Sequence, residues 1–260
     1  MQPKAITFQG KPLGRAGFPA ICAPLVGRTP GQLLAEATAV AAKQPDLIEW
    51  RVDFFEGIAD VRAVTELAGR IRQAAQGIPI LFTCRWSREG GEKTALSQAD
   101  VVRLHRAVCE SRHVDFIDFE MSNEPDQVVQ VRESSRALGA QLILSFHDFQ
   151  DTPSVEVLNR RFAQAEQLGA DIAKVAVMPR DMQDVLTLLA ATLQSSATLG
   201  IPLVSMSMAG PGAITRLCGG AFGSALSFAF GQSASAPGQM PIEDLAAGLA
   251  ILRKSLGPST

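Results

Sequence analysis

Two hydrophobic rhythms alternate along this chain. Short apolar runs of strand length fall at residues 21–26, 47–53, 80–85, 116–120, 142–147, 172–178, 203–208 and 224–230. The intervening segments carry apolar residues at helical spacing. Residues 31–43 are rich in alanine. Residues 59–76 put Val61, Val64, Leu67, Ala68 and Ile71 on one face. Residues 97–111 open with a capping serine and turn Val101, Leu104 and Val108 inward. Residues 153–168 begin with a proline, which the first helical turn tolerates. Residues 181–199 and 242–256 complete the helical set. Eight such alternations predict an α/β fold, a (β/α)8 TIM barrel. A doubly wound sheet is the competing arrangement, but no G-x-G-x-x-G turn follows the first strand. Without a linker or a shift in composition, residues 1–260 form a single barrel domain. Residues 5–20 alternate and are interrupted by glycine, which predicts a short N-terminal β-hairpin.

Composition narrows the class. The chain is 47% hydrophobic and 19% charged, as soluble globular proteins are, with a net charge of −2. Acids and bases are spread evenly, so no basic stripe suggests nucleic acid and no polybasic segment suggests a membrane surface. The N-terminal stretch has no apolar signal core, and no run is long enough to cross a bilayer. A cytoplasmic protein is expected. Cys22, Cys84, Cys109 and Cys218 show no C-x-x-C spacing, which predicts reduced thiols, and tyrosine is absent.

Candidate chemistry centres on residues 170–179, Ala-Asp-Ile-Ala-Lys-Val-Ala-Val-Met-Pro. Lys174 lies within an otherwise buried strand. Burial disfavours its ammonium, and a neutral amine attacks carbonyl carbon. The alternative is a buried lysine paired with a carboxylate. In a barrel the chemistry sits at the C-terminal ends of the strands. His147 terminates the preceding strand at the active end, Lys174 ends its own, and neighbouring strands lie ~4.8 Å apart. A histidine there can move a proton near neutral pH. Glu49, Arg51 and Asp53 alternate with Ile48, Trp50 and Val52, so the charged set faces the lumen. Asp53 reads as an ion-pair partner; Glu49 and Arg51 read equally as support or as ligand contacts. Arg85 sits where a strand meets a loop, and Glu89 precedes Gly90-Gly91. Asp118 and Glu120 share a face and can neutralise Arg51, Arg85 or Lys174. Arg216 can clamp a carboxylate with two parallel hydrogen bonds. Residues 231–239 are small, polar and bounded by glycine, as a lid is.

The motifs EWRVD (49–53), TCR with EGGE (83–92), SFHDF (145–149), ADIAKVAVMP (170–179), SMSM (205–208), ITRL (214–217), FGSALSF (222–228) and ASAPGQ (234–239) occur in one order and spacing. In these the chain resembles type I 3-dehydroquinate dehydratase of the shikimate pathway. The resemblance implies a (β/α)8 homodimer that needs no metal or cofactor and takes 3-dehydroquinate. It implies that Lys174 forms the Schiff base, that His147 is the general acid/base and that Glu89 orients it. Glu49, Arg51 and Arg85 correspond to contacts with substrate hydroxyls and ring, Arg216 to the carboxylate-binding arginine, and Ser235 and Gln239 to the closing lid. Gln232 and Ser233 depart from the pattern, since members often carry a basic residue there. A Schiff-base aldolase on the same barrel and a catalytically silent metabolite-binding barrel are the alternatives. The aldolase would need a phosphate site after the last strands, for which residues 209–212 are the candidate. A metal-dependent lyase has no clustered histidine motif to rest on.

Overall fold

The computed structural model describes residues 3–14 and 18–256. Two short strands, β1 (Thr7–Phe8) and β2 (Lys11–Pro12), pair antiparallel. They are the predicted hairpin; its residues 15–17 lie outside the described residues. Eight parallel strands follow: β3 (Ala20–Leu25), β4 (Leu47–Arg51), β5 (Ile80–Thr83), β6 (Phe116–Glu120), β7 (Gln141–Asp148), β8 (Ile172–Val177), β9 (Leu203–Ser207) and β10 (Leu226–Phe228). They form one sheet in the order β10-β3-β4-β5-β6-β7-β8-β9. Its two edges meet where Leu203 bridges Ser224 and the Ala225 N–H donates to the Leu203 carbonyl at 2.7 Å. The result is a nearly closed (β/α)8 barrel.

The outer helices are α1 (Pro30–Ala42), α2 (Val61–Ala74), α3 (Gln98–Ser111), α4 (Pro125–Leu138), α5 (Val155–Gln167), α6 (Met182–Thr198), α7 (Ala209–Gly212), α8 (Ile214–Cys218) and α9 (Ile242–Leu256). Their starts follow local chemistry. Thr29 and Ser97 form capping boxes with Gln32 and Asp100. Asp60 and Asp181 cap α2 and α6 through their carboxylates. Helix α4 escapes the periodic pattern because its buried side includes Ser135 beside Val128 and Val131. The overlooked signals were Pro125 in its first turn and Gly139, left-handed at φ +81, at its end.

A recurring clamp organises the N-terminal end of the barrel. Ahead of every second strand, a side chain accepts from an N–H near the start of the strand before. Asp46 accepts from Ile21 at 2.8 Å, Asp115 from Ile80 at 2.9 Å and Asp171 from Leu142 at 2.7 Å. Ser224 takes the same part toward Ser205 at 3.0 Å. Arg72 and Arg132 neutralise Asp115 and Asp171. The hairpin closes this end, with Ile6 buried in the lumen cluster and the Phe8 ring tilted against Phe116, centroids 6.2 Å apart.

The lumen changes character along the barrel axis. Cys22, Leu47, Leu81, Phe116, Ile143 and Ile172 pack its lower layer. One inward step higher, the register aligns Thr83 with Asp118 and Ser145 with Lys174. Because side chains alternate faces, a slip of one residue would turn the polar set out toward the helices. The apolar alternates, Ile48, Trp50, Phe82, Ile117, Leu144 and Val175, pack instead into the outer core.

Candidate active site

The polar layer opens into a cavity of about 440 Å3, counting the solvent at its mouth. Glu49, Arg51, Arg85, Glu89, His147, Lys174, Ser235 and Gln239 all line it. Those eight sequence candidates therefore meet in one place. Lys174 lies in the middle of β8 rather than at its end, and His147 pairs in register with Ala176, one inward step above. The lysine is 4% exposed. Its Nζ donates to Asp118 Oδ2 at 2.8 Å and rests 4.8 Å from the centre of the Phe228 ring. It is at once the buried lysine of the cavity and a member of an ion pair.

Asp118 is the hub beneath it. Its Oδ1 accepts from the Ser145 hydroxyl at 2.6 Å and meets Arg85 Nη2 at 2.7 Å. Burial opposes its ionisation, but Arg85 and Lys174 outweigh burial and hold the carboxyl well below the usual range. Arg85 also donates to Glu120 at 2.7 Å and to Ser145 at 2.9 Å. Burial works against its charge too, yet Asp118, Glu120 and Glu89 keep the guanidinium firmly protonated. Both acids of β6 thus support the two cations above them.

His147 is oriented by Glu89. Glu89 sits in a short 3-10 turn, Ser87–Glu89, that ends in left-handed Gly90 at φ 82. A Cβ on Gly90 would lie 2.1 Å from the Phe149 ring, and one on Gly91 would lie 2.0 Å from the Arg85 carbonyl oxygen. The two glycines let this loop press against the barrel rim. Glu89 Oε2 accepts from the backbone N–H and from Nδ1 of His147, and its Oε1 accepts from the Ser122 hydroxyl. Burial, opposed by Ser122 and Arg85, raises Glu89 to about 7. Burial, then Arg85 and Lys174, push His147 far below its ordinary value. The ring is neutral at physiological pH, and with hydrogen on Nδ1 it keeps the Nε2 lone pair available.

One expectation needs correction in detail. The charged run does not continue as a strand to Asp53: β4 ends at Arg51, whose ladder partner Thr83 is the last residue of β5, and Val52–Phe54 turn as a 3-10 helix. The turn folds Asp53 back onto Arg51 in a two-pronged pair at 2.8 and 2.7 Å. Glu49 accepts from Thr83 Oγ1 at 2.8 Å. Arg216 is 2% exposed and stands behind the cavity rather than in its lining. It donates to the carbonyls of Gly238 at 2.9 Å, Pro237 at 3.1 Å and Phe228 at 3.3 Å, and Nη1 points at Met206 Sδ 3.8 Å away. Burial lowers it to about 10, so it stays charged at neutral pH.

The loop of residues 231–239 lies at the mouth, where Ser235, Ala236 and Gln239 line the cavity. Gln239 accepts from the Ser235 N–H at 2.9 Å and donates to its hydroxyl at 3.2 Å. Arg51 reaches the Ser235 carbonyl at 3.4 Å. Gln232 and Ser233 face solvent, away from the cavity. Sequence reasoning missed Phe149, Met206, Met208, Phe228 and Ala236 in the lining, and Ser122 behind Glu89. Alternation placed Met206 and Phe228 on inward faces, but nothing in an apolar residue marks it as cavity wall. Cys22, Cys84 and Cys109 are buried and all four cysteines are free. No helix among the described residues is long and apolar enough to cross a membrane.

A (β/α)8 barrel with a polar cavity lined from the upper parts of its strands and the loops that follow them defines a barrel enzyme. The family model for type I 3-dehydroquinase matches residues 21–255, and the chain belongs to that family. It is 55% identical to the 3-dehydroquinate dehydratase of Albidiferax ferrireducens over 98% of this chain and 96% of that one. The crystal structure of the Geobacillus kaustophilus 3-dehydroquinate dehydratase superposes with a TM-score of 0.94 at 47% identity, covering 97% of this chain and 98% of that one. The type I enzyme of Clostridium difficile, whose structure holds covalently modified comenic acid, gives 0.92 at 37% identity over 97% and 99%.

Proposed function

We propose that this enzyme dehydrates 3-dehydroquinate to 3-dehydroshikimate through a Schiff base on Lys174, with His147 as general acid/base. The observation that carries the reading is the placement of Lys174 and His147 on adjacent strands of one cavity, an inward step apart. Lys174 attacks the ring ketone and expels water, giving an iminium. The iminium draws electrons, so the neighbouring C–H becomes acidic. His147 Nε2 takes that proton and leaves an enamine. The enamine expels the β-hydroxyl, to which His147 returns the proton, and a second water leaves. Hydrolysis consumes one water and frees Lys174, so the net change is loss of one water. The iminium is the electron sink, so the route calls for no metal or cofactor.

The remaining residues bind. Glu49, Arg51 and Arg85 contact the substrate hydroxyls and ring. Ser235 and Gln239 belong to the lid that closes over it. A guanidinium has five N–H donors. Three of Arg216's meet carbonyls, so a carboxylate can take one free Nη2 hydrogen and the Nη1 hydrogen now aimed at Met206. The enzyme works in the cytoplasm as a single-domain barrel that pairs as a homodimer. Assay of the purified chain for the conjugated enone formed from 3-dehydroquinate tests the reading. Enone formation that survives a chelator supports it; turnover of phosphorylated sugars alone points to the aldolase.

A further inference from the structure

From residue 185 to residue 242 the chain contains one charged residue, Arg216, and that one is buried. The stretch is not all interior. Seen from outside, α6 exposes Met182 at 52%, Leu186 at 55% and Leu193 at 38%, with small Ala190 and Ala197 between and beyond them. Ile214, 48% exposed, stands on α8, just beyond α7, which packs against α6. The outward faces of α2 to α5 differ, each carrying exposed charges such as Arg62, Arg106, Glu133 and Arg160. Helix α1 also lacks outward charge, but Gln32, Ala35 and Thr38 give it no large apolar group there. Contiguous exposed apolar surface without charge marks a contact face, because interface cores are depleted of charged residues.

We infer that the outward face of α6 is where two copies of this chain pair across a two-fold axis. The inference rests on the homodimer proposed above and adds its location. Two features favour a second copy as the occupant. A two-fold sets a surface against itself, so charges of one sign would repel, whereas this face has none. The sequence Leu186, Ala190, Leu193, Ala197 also alternates large and small at spacings of four, three and four. In an antiparallel helix pair, each leucine enters the gap over an alanine opposite, and helices then pack about 8–10 Å apart. Ala190 is at the middle of this seventeen-residue helix. For leucine to meet alanine the axis passes between residues 191 and 192, which sets Leu186 of one copy over Ala197 of the other and Leu193 over Ala190.

Light scattering at micromolar concentration tests the face. The parent chain is expected at twice 27.6 kDa. Leu186→Glu and Leu193→Glu are expected at the monomer mass with unchanged helical circular dichroism. Ala190→Cys treated with a short bis-maleimide should give a covalent dimer that the parent cysteines do not give. That arm needs no disruptive charge, so it decides the matter even if a glutamate variant fails to fold. A dimer that survives both glutamates, with residue 190 never cross-linked, overturns the location and leaves the homodimer standing. A parent chain that is monomeric throughout overturns the homodimer itself.

Discussion

One oxygen of Glu89 accepts twice from His147, from the backbone N–H and from Nδ1, each at 2.9 Å. The backbone contact fixes the carboxylate relative to β7, and the ring contact then fixes the imidazole. Glu89 is pushed up to about 7, mainly by burial, while His147 stays neutral. As pH falls, the first proton therefore goes to Glu89 and removes the charge that would stabilise the imidazolium formed in turnover. Activity should rise with pH and level off above about 7. Glu89→Gln should lose about 10- to 100-fold in turnover, as when a group orienting a reactive histidine is removed. It should also lose that acid limb. A profile with the same limb in parent and variant would take the limb away from Glu89.

His147→Ala tests the proton carrier directly. Removing a general acid/base should lower kcat by about 10²–10⁴-fold with substrate binding largely retained. Because the ring lines the cavity, its loss leaves the outer core intact. Single-turnover kinetics separates the steps: imine formation should persist while enone release stalls. Turnover near that of the parent enzyme would hand the proton steps to another group.

Asp118 holds two buried cations, so removing its charge should damage stability as well as catalysis. Asp118→Asn keeps the shape but leaves Arg85 and Lys174 short of a counter-ion. Breaking a buried pair on one side costs about 3–5 kcal/mol, read as a lower denaturant midpoint. The parent enzyme supplies a pH check on the same group. Its folded value is depressed, so its contribution is complete above the ordinary 3.8 and is lost only as pH falls below that. An Asn variant with the midpoint of the parent would show that the ion pairs contribute nothing net.

Much of this site was legible because barrel strands impose a period of two. Once residues 49–51 alternate, Glu49 and Arg51 must face inward, and the same rule places Asp118, Ser145, His147 and Lys174 together. Alternation could not show where a strand stops. Asp53 left the pattern because the β4–β5 ladder ends at Arg51 and Thr83, a fact held by the neighbouring strand. Likewise, Arg216 announces a positive charge, but its use against lid carbonyls depends on where a loop more than twenty residues later comes to rest. Helix α4 was overlooked because a serine served where an apolar residue was sought.

Arg216 and Gln239 join that lid to the barrel in different ways. Arg216→Ala removes hydrogen bonds to Gly238, Pro237 and Phe228 together with its charge. Charge-assisted hydrogen bonds are worth about 1.5–3 kcal/mol each, so kcat/KM should fall by at least about 10-fold. Arg216→Lys should not restore it, since one ammonium cannot span the same fork. Gln239→Ala loses only the Ser235 contacts and should shift kcat and KM together by a smaller factor. Equal, parent-like kcat/KM in both would detach this loop from substrate closure.

Lys174 carries the decisive prediction. It is the lysine that lines the cavity, and its Nζ sits between Asp118 and the Phe228 ring. In the resting enzyme the amine is held in an ion pair with Asp118. An imine formed there is covalent, and borohydride reduces it to a secondary amine that survives unfolding and digestion. Intact-mass spectrometry after borohydride treatment with 3-dehydroquinate present should show one adduct per chain. Peptide mapping should place it on the fragment containing Lys174, and Lys174→Ala should show none and form no enone. The His147→Ala enzyme should give the same adduct, because imine formation precedes the step that histidine performs. An adduct on Lys43, Lys93 or Lys254, or continued turnover with no adduct at all, would remove the Schiff base from this site.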